Sequence, residues 1–406
     1  MNRRRFLQST GLAAAMSFVP GAFASIPGRI RVDRHGALRV GGKPEFVLGL
    51  YAAPKREGAL REASEAGFNL VNRPANRAAY DEARGFELWG WSSLGSLPTA
   101  NRDEAERRMR QIIEALRDHP ALLFWETEDE PAFAWKEPGR LRTGAAQINK
   151  TAAFIRRLDP AHPLYLNHSP TNLVSTLQVY NPAADIVATD IYPVITRGIR
   201  EEYALWPDGR QGDFLNGTIS QVGQYADKMR AVAGQSRAVF MVLQGFAWEM
   251  LREKDRDPAM VLYPTVAQLR FMAWQSVAHG ANGLVWWGLD QPSDGSIWED
   301  LKLVARELAS VRAALAAPKV NLPLKLAYHD TGHSLDRGIE WIAKPLGRET
   351  LLIAVNADGN PVEATFRDLE RFQKRQPVLE SNSAEHTQQG WRERFEPFGS
   401  RVWRLS

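Results

Sequence analysis

The chain has 406 residues, 44% hydrophobic and 24% charged, with a formal charge of +4 and no cysteine. That length suits one large domain plus a smaller one, and the missing thiols exclude disulfides, a thiolate nucleophile and a zinc–thiolate site. No long Lys/Arg run accompanies the small positive charge, so the footprint of a nucleic-acid or anionic-membrane binder is missing.

In chain order, Arg3-Arg4-Arg5 precedes an apolar run over 10–18, and Ala22-Phe23-Ala24 then stands before Ser25. A basic n-region, a short h-region and an Ala-x-Ala site in that order read as a secretory signal. The apolar run is too short to span a bilayer. Arg3-Arg4 followed by Phe6-Leu7 resembles a twin-arginine signal, which implies the twin-arginine export machinery as a partner. The expectation is a signal peptide over 1–24, a periplasmic or secreted protein beginning near Ser25, and no stable membrane anchor after cleavage. Without Arg3, Arg4 and Arg5 the formal charge falls from +4 to +1.

Residues 30–44 read as a small hairpin with a Gly41-Gly42 turn. Eight strand-like runs follow, over 46–51, 68–73, 86–91, 121–125, 164–167, 185–192, 238–244 and 283–287. Helical apolar spacing separates most of them, over 58–66, 78–84, 102–117, 141–158, 219–233, 264–279 and 299–316, and the fifth connection is short. Eight strand–helix alternations predict a (β/α)8 TIM barrel over 25–318, its lower end capped by the hairpin. After Ala317-Pro318 helical periodicity gives way to short alternating runs over 324–328, 339–343, 350–356, 362–367, 376–379 and 402–405, which predict a small all-β sandwich domain over 319–406. His329 and His333 fall on a turn there, and no metal site is expected from them.

In such a barrel the active site lies at the carboxyl ends of the strands. Those positions carry Tyr51, Arg73, Trp91, Glu126, Glu128, Asp129, Glu130, Asn167, His168, Asp190, Tyr192, Gln244, Trp286, Trp287 and Asp290. Carboxylates, amides and aromatic rings together fit a neutral polyhydroxylated ligand such as an oligo- or polysaccharide. Phosphate-binding glycine loops and a nucleophile-elbow Gly-x-Ser-x-Gly do not occur. A metal-dependent hydrolase would need more ligands than His168 and Asp190, so neither metal nor cofactor is expected. The insertion over 196–216, with Trp206, is expected to form part of a cleft wall.

Trp125-Glu-Thr-Glu-Asp-Glu-Pro131 resembles the Trp-x-x-x-Asn-Glu-Pro motif on the fourth strand of clan A glycoside hydrolases, and residues 278–288 resemble the closing helix and strand of those barrels. The tail resembles the β-sandwiches that often follow them. The resemblance implies a glycoside hydrolase with Glu130 as general acid/base. Asp129 stands where the family has Asn, and Glu128 where a small residue is usual. If strand alternation continued, Glu126, Glu128 and Glu130 would share a face, and a cation such as Arg73 would be needed nearby. The family's nucleophile position holds Gln244, which cannot serve. Glu249, on the same loop, is the first substitute; Asp190 and Glu128 are the others. Carboxyl separations of about 5–5.5 Å or roughly 6.5–9.5 Å would mark retention or inversion. Trp125, Trp248, Trp286 and Trp287 are candidates for sugar stacking, although alternation sends one of the last two into the helix layer. Asn167 and His168 are candidates for binding hydroxyls, and Tyr192 for orienting a carboxylate. The competing expectation is a non-catalytic carbohydrate-binding protein on a degenerate barrel.

Overall fold

The computed structural model describes residues 30–133, 141–199, 216–329, 335–379, 385–387 and 390–406. The expected signal peptide, His333, Trp206 and most of the 196–216 insertion lie outside them. Strands β1 (Arg31–Val32), β2 (Leu38–Val40) and β3 (Lys43–Glu45) form a three-stranded antiparallel sheet, one strand more than the expected hairpin. Gly41 and Gly42 make the β2–β3 turn with positive φ. Ile30, Leu38 and Val40 join the cluster of Phe124, Tyr165 and Phe240 inside the barrel. Gly36 lies against Arg237 and Asn282, just before the seventh and eighth barrel strands, so this sheet closes the amino-terminal end.

The barrel consists of β4 (Val47–Leu50), β5 (Leu70–Asn72), β6 (Trp89–Ser93), β7 (Leu122–Glu126), β8 (Leu164–His168), β9 (Ile186–Ile191), β10 (Ala238–Gln244) and β11 (Gly283–Trp287). All neighbours are parallel, and β11 pairs with β4 to close the ring. The strands are buried on both faces, because helices cover the outside while alternate side chains fill the inside. The short fifth connection holds the five-residue Val174–Gln178 helix and a single 3-10 turn at Asn181–Ala183.

Two four-stranded antiparallel sheets follow. In one, β12 (Lys325–Tyr328) pairs with β15 (Val362–Arg367), then β18 (Gly390–Phe395) and β17 (Glu385–Thr387). In the other, β13 (Ile339–Leu346) pairs with β14 (Glu349–Asn356), then β19 (Ser400–Leu405) and β16 (Arg375–Pro377). Strand β18 is missing from the sequence reading. Its inward positions are Trp391, Glu393 and Phe395, and the carboxylate interrupts the apolar alternation. Glu393 is 4% exposed and is balanced by Arg375 at 3.3 Å and Arg401 at 2.8 Å.

Ile342, Leu351, Ile353 and Val402 of the second sheet share a core with the barrel helices. A polar clasp sits on the same seam. His279, at the end of the Val266–Ala278 helix, places Nδ1 2.9 Å from Asp227 and Nε2 2.8 Å from Glu340 on β13. Gln275 donates to Glu340 at 2.9 Å, and Arg337 pairs with it. A side chain at Gly223 would collide with His279 and Gln275, so only glycine admits the clasp. Burial opposes the imidazolium, but the hydrogen bonds to both carboxylates outweigh it and raise the pKa from 6.5 to about 9. A raised folded-state pKa means that the added stability is complete below about pH 6.5 and is lost as pH rises to about 9. His279→Gln is therefore expected to lower the melting temperature most at pH 6 and little at pH 9. An equal loss at both would contradict the clasp.

Candidate active site

Strand β7 ends at Glu126, whose side chain points into the barrel and is 2% exposed. Its carboxyl accepts from Trp91 Nε1 at 3.0 Å and from the Tyr51 hydroxyl at 3.2 Å; Tyr51 and Tyr165 share a further hydrogen bond at 2.9 Å. Burial, aided by the Asp129 charge, outweighs those two donors and raises the Glu126 pKa to about 8. Glu126 is thus largely protonated at neutral pH.

Beyond Glu126 the strand does not continue, so the expected shared face of Glu126, Glu128 and Glu130 does not form. Glu128 turns to Ser96, which donates to it at 2.9 Å. Glu130 has φ 45°, a left-handed backbone that costs a non-glycine residue about 1–2 kcal/mol. Two backbone bonds hold it there: Glu130 N–H donates to Asn167 O at 3.1 Å, and Phe133 N–H to Glu130 O at 3.0 Å.

This turn brings Glu130 beside Asp190 of β9 in one cleft, where each carboxyl alters the proton affinity of the other. Asn167, on the intervening β8, donates through Nδ2 to Asp129 at 3.0 Å and to Asp190 at 3.3 Å. Burial, then the charge of Asp129, raises the Glu130 pKa to about 7, against the nearby Arg142 cation. Burial and the Glu130 charge push Asp190 up as well. Two adjacent carboxyls raised in this way share one proton near neutral pH and titrate as a pair.

The balancing cation is Arg142, 3.6 Å from the Glu130 carboxyl and 3.7 Å from that of Asp129, with a further bond to Asp129 O at 2.9 Å. Arg73, the cation expected from the sequence, instead pairs with Glu82 and donates to Ala79 O. Because Arg142 lowers the Glu130 pKa, Arg142→Ala is expected to shift the basic limb of any Glu130-dependent activity to higher pH. The side chain is 42% exposed, so solvent screening keeps the shift modest. A shift to lower pH would contradict the assignment.

Glu130 and Asp190 line a cleft of about 360 Å³ together with Phe133, Tyr192, Arg197 and Trp248. Behind it Tyr192 stacks on Trp287 with ring centres 5.6 Å apart, Phe246 meets Trp287 edge-on, and Trp248 Nε1 donates to Tyr192 O at 3.1 Å.

Other residues expected at the site have different places. Gln244 is buried, accepting from Val194 N–H and donating to Val194 O and Phe246 O, so it ties the loops after β9 and β10 together. Glu249 is also buried; it accepts from Asp257 N–H at 2.8 Å, stands 3.4 Å from Arg252, and closes its own loop rather than lining the cleft. Trp125 faces the helix layer, where its Nε1 donates to Asp159 at 2.8 Å, and Trp286 packs there against Phe68. His168 is fully buried beside Tyr180, and burial lowers its pKa to about 3, leaving the ring neutral. Asp290 pairs with Lys55 at 3.3 Å on a separate groove. Among the described residues, no group of three or more His, Cys, Asp or Glu is placed to hold a metal.

Sequence reasoning missed Arg142 and Tyr165. Tyr165 had a signal, since it shares strand parity with Asn167 and so faces inward. Arg142 lies before a helix at no fixed spacing from the carboxylates, and nothing in the sequence marked it.

No family model matches the chain, and no curated protein matches it. Solved structures do. An alpha-amylase from Geobacillus thermoleovorans, complexed with acarbose, is 8% identical over 89% of this chain and 98% of its own, with a TM-score of 0.52. AmyP in complex with maltose is 8% identical over 94% and 95%, with a TM-score of 0.53. An isomaltulose synthase from Klebsiella sp. LX3 is 9% identical over 89% and 99%, with a TM-score of 0.50. At these identities the likeness establishes a fold that alpha-amylases use, a parallel barrel followed by antiparallel sheets, and stops there.

Proposed function

We propose that the protein is a glycoside hydrolase acting on an oligo- or polysaccharide, with Glu130 as general acid/base and Asp190 as the second carboxylate. The observation that carries this reading is the pair itself. Two carboxyls from the fourth and sixth barrel strands meet in one cleft, with raised pKa values, beside an aromatic wall. A carboxyl that keeps its proton near neutral pH is what protonating a glycosidic oxygen requires. Tyr192 and Trp248 add aromatic surface to the same cleft.

Carboxyls about 5–5.5 Å apart would give retention and roughly 6.5–9.5 Å inversion, and the anomeric form of the first product decides between them. A second reading is a carbohydrate-binding protein without hydrolysis. It is favoured by Gln244 and Glu249, both spent on loop structure. Incubation with a broad panel of polysaccharides and aryl glycosides, followed by reducing-end release and the anomeric NMR signal of the first product, separates the two. Cleavage of at least one glycan, lost in Asp190→Asn, supports the hydrolase; binding without cleavage across the panel supports the alternative.

The proposal includes export of residues 25–406 to the periplasm or beyond through the twin-arginine route, with a catalytic unit over 25–318 and a sandwich over 319–406. Retention of the Arg3→Lys, Arg4→Lys double variant in the cytoplasm would support the export step, and unchanged export would overturn it.

A further inference from the structure

The C-terminal sheets reach the wall of the acidic cleft through one buried amide. Gln275, in the Val266–Ala278 helix, is fully buried and uses both ends of its side chain. Its Nε2 donates to Glu340 of β13 at 2.9 Å and to Ser220 O at 3.1 Å, while its Oε1 accepts from Gly223 N–H at 3.1 Å. Ser220 and Gly223 stand at the start of the Gln221–Ala233 helix. From Ser220 the bonds continue outward. Its hydroxyl accepts from Asn216 Nδ2 at 2.9 Å and shares a bond with the Thr218 hydroxyl at 2.8 Å. Thr218 N–H donates to Asn216 Oδ1 at 3.0 Å, and Gln221 Nε2 donates to Thr218 O at 3.0 Å. Asn216, Gly217 and Gln221 line the cleft that holds Glu130 and Asp190.

We infer that Glu340, in the C-terminal sheets, is a positioning residue for the substrate cleft: through Gln275 it fixes the start of the Gln221–Ala233 helix and with it the cleft wall over 216–221. A primary amide has two N–H donors, and here Ser220 O takes one and Glu340 the other. Burial works against the Glu340 carboxylate, but the hydrogen bond from His279, then that from Gln275 and the Arg337 charge, keep its pKa below the usual 4.5. At neutral pH the Gln275–Glu340 bond is therefore charge-assisted, the stronger kind. Without Glu340 the second donor would be stranded in a site closed to solvent. The amide would then turn or admit water, and either change disturbs the bonds to Ser220 O and Gly223 N–H. One strand of the C-terminal domain thus holds a wall of the cleft in addition to packing on the barrel helices. The wall carries neither carboxyl of the pair, so the effect falls on glycan binding and not on proton transfer. That consequence rests on the hydrolase reading, whereas the link from Glu340 to the wall does not.

Amide hydrogen exchange of the full chain at pH 7 reads the link without a substrate. Glu340→Ala is expected to speed exchange at Gly223, bonded to Gln275, and at Thr218, bonded to Asn216 in the wall, by about 10-fold, the order that one hydrogen bond to a charged group supports. Glu340→Gln keeps an oxygen for the Gln275 donor and should restore most of the protection. Lys344→Met breaks the same seam elsewhere, at Leu315 O and Ala317 O, and should leave both amides as in the parent. Glu340→Asp keeps the charge but stops short of Gln275, and it serves if the Ala variant does not fold. Unchanged exchange at both amides, a gain at Gly223 without one at Thr218, or an equal gain in Lys344→Met would overturn the inference. With a cleaved glycan in hand, Glu340→Ala should raise KM several-fold with kcat near the parent value, and Glu340→Gln should recover KM; a loss confined to kcat would contradict the positioning role. If no glycan is cleaved, the hydrolase reading fails and the exchange result still decides the link.

Discussion

Glu130→Gln is expected to slow glycoside cleavage by about 10²–10⁴-fold, the usual contribution of a positioned general acid. Gln matches Glu in size and accepts the left-handed backbone at this position equally well, so melting temperature and glycan affinity should stay close to those of the parent. What it cannot do is give a proton to the departing oxygen. The loss should appear in kcat, with KM little changed, because the interaction is made only in the transition state. On the hydrolase reading, the pH dependence follows from the same group. A general acid works below its pKa, and burial holds that of Glu130 near 7, so kcat/KM should fall as pH rises through about 7. This basic limb is the one that Arg142→Ala should move upward.

The second large effect is on stability. Glu126 lies in the barrel with its pKa raised from 4.5 to about 8 by burial and by the charge of Asp129. The folded state therefore holds a proton that the unfolded state releases, and stability falls as pH rises from about 4.5 through about 8. That displacement corresponds to on the order of 5 kcal/mol. Glu126→Gln, which keeps an oxygen to accept from Trp91 and Tyr51 but cannot ionise, is expected to flatten this decline and to melt higher than the parent at pH 8. Thermal denaturation from pH 4.5 to 9 reads it directly. The His279 clasp contributes a decline of the same sign between about 6.5 and 9, so the double variant with His279→Gln should be flatter still. Buried neutral His168 adds a rise of its own below about pH 6.5, so the decisive reading is the difference between parent and variant; a Glu126→Gln advantage that does not grow from pH 4.5 to 8 would contradict the Glu126 assignment.

The barrel was legible because its eight strands are apolar on both faces and the intervening helices carry apolar stripes, two periods that reinforce each other over a long stretch. The C-terminal sheets were legible except at β17 and β18; in β18, Glu393 occupies an inward position and breaks the pattern that strand reading depends on. At the site, parity worked where the strand continued. It sends Phe124 and Glu126 inward and Trp125 outward, so Trp125 could have been excluded as a stacking residue on alternation alone. Parity failed beyond Glu126, because the left-handed residue at 130 redirects the chain, and no local motif announces that turn. Gln244 and Glu249 were misjudged for a related reason. Their hydrogen bonds run to the backbone of neighbouring loops, and loop paths are set by tertiary contacts that a linear pattern does not encode.

The acid role of Glu130 is tested most directly by a series of aryl and alkyl glycosides that share one sugar and differ in leaving group, cleaved by the parent and by Glu130→Gln. A leaving group that departs readily as an anion needs no proton, whereas a poor one does. The ratio of parent to variant kcat/KM should therefore lie near one for dinitrophenyl glycosides and climb steadily as the leaving-group oxygen becomes more basic. A large loss that is the same for every leaving group, or no loss for the poorest, would contradict Glu130 as the proton donor.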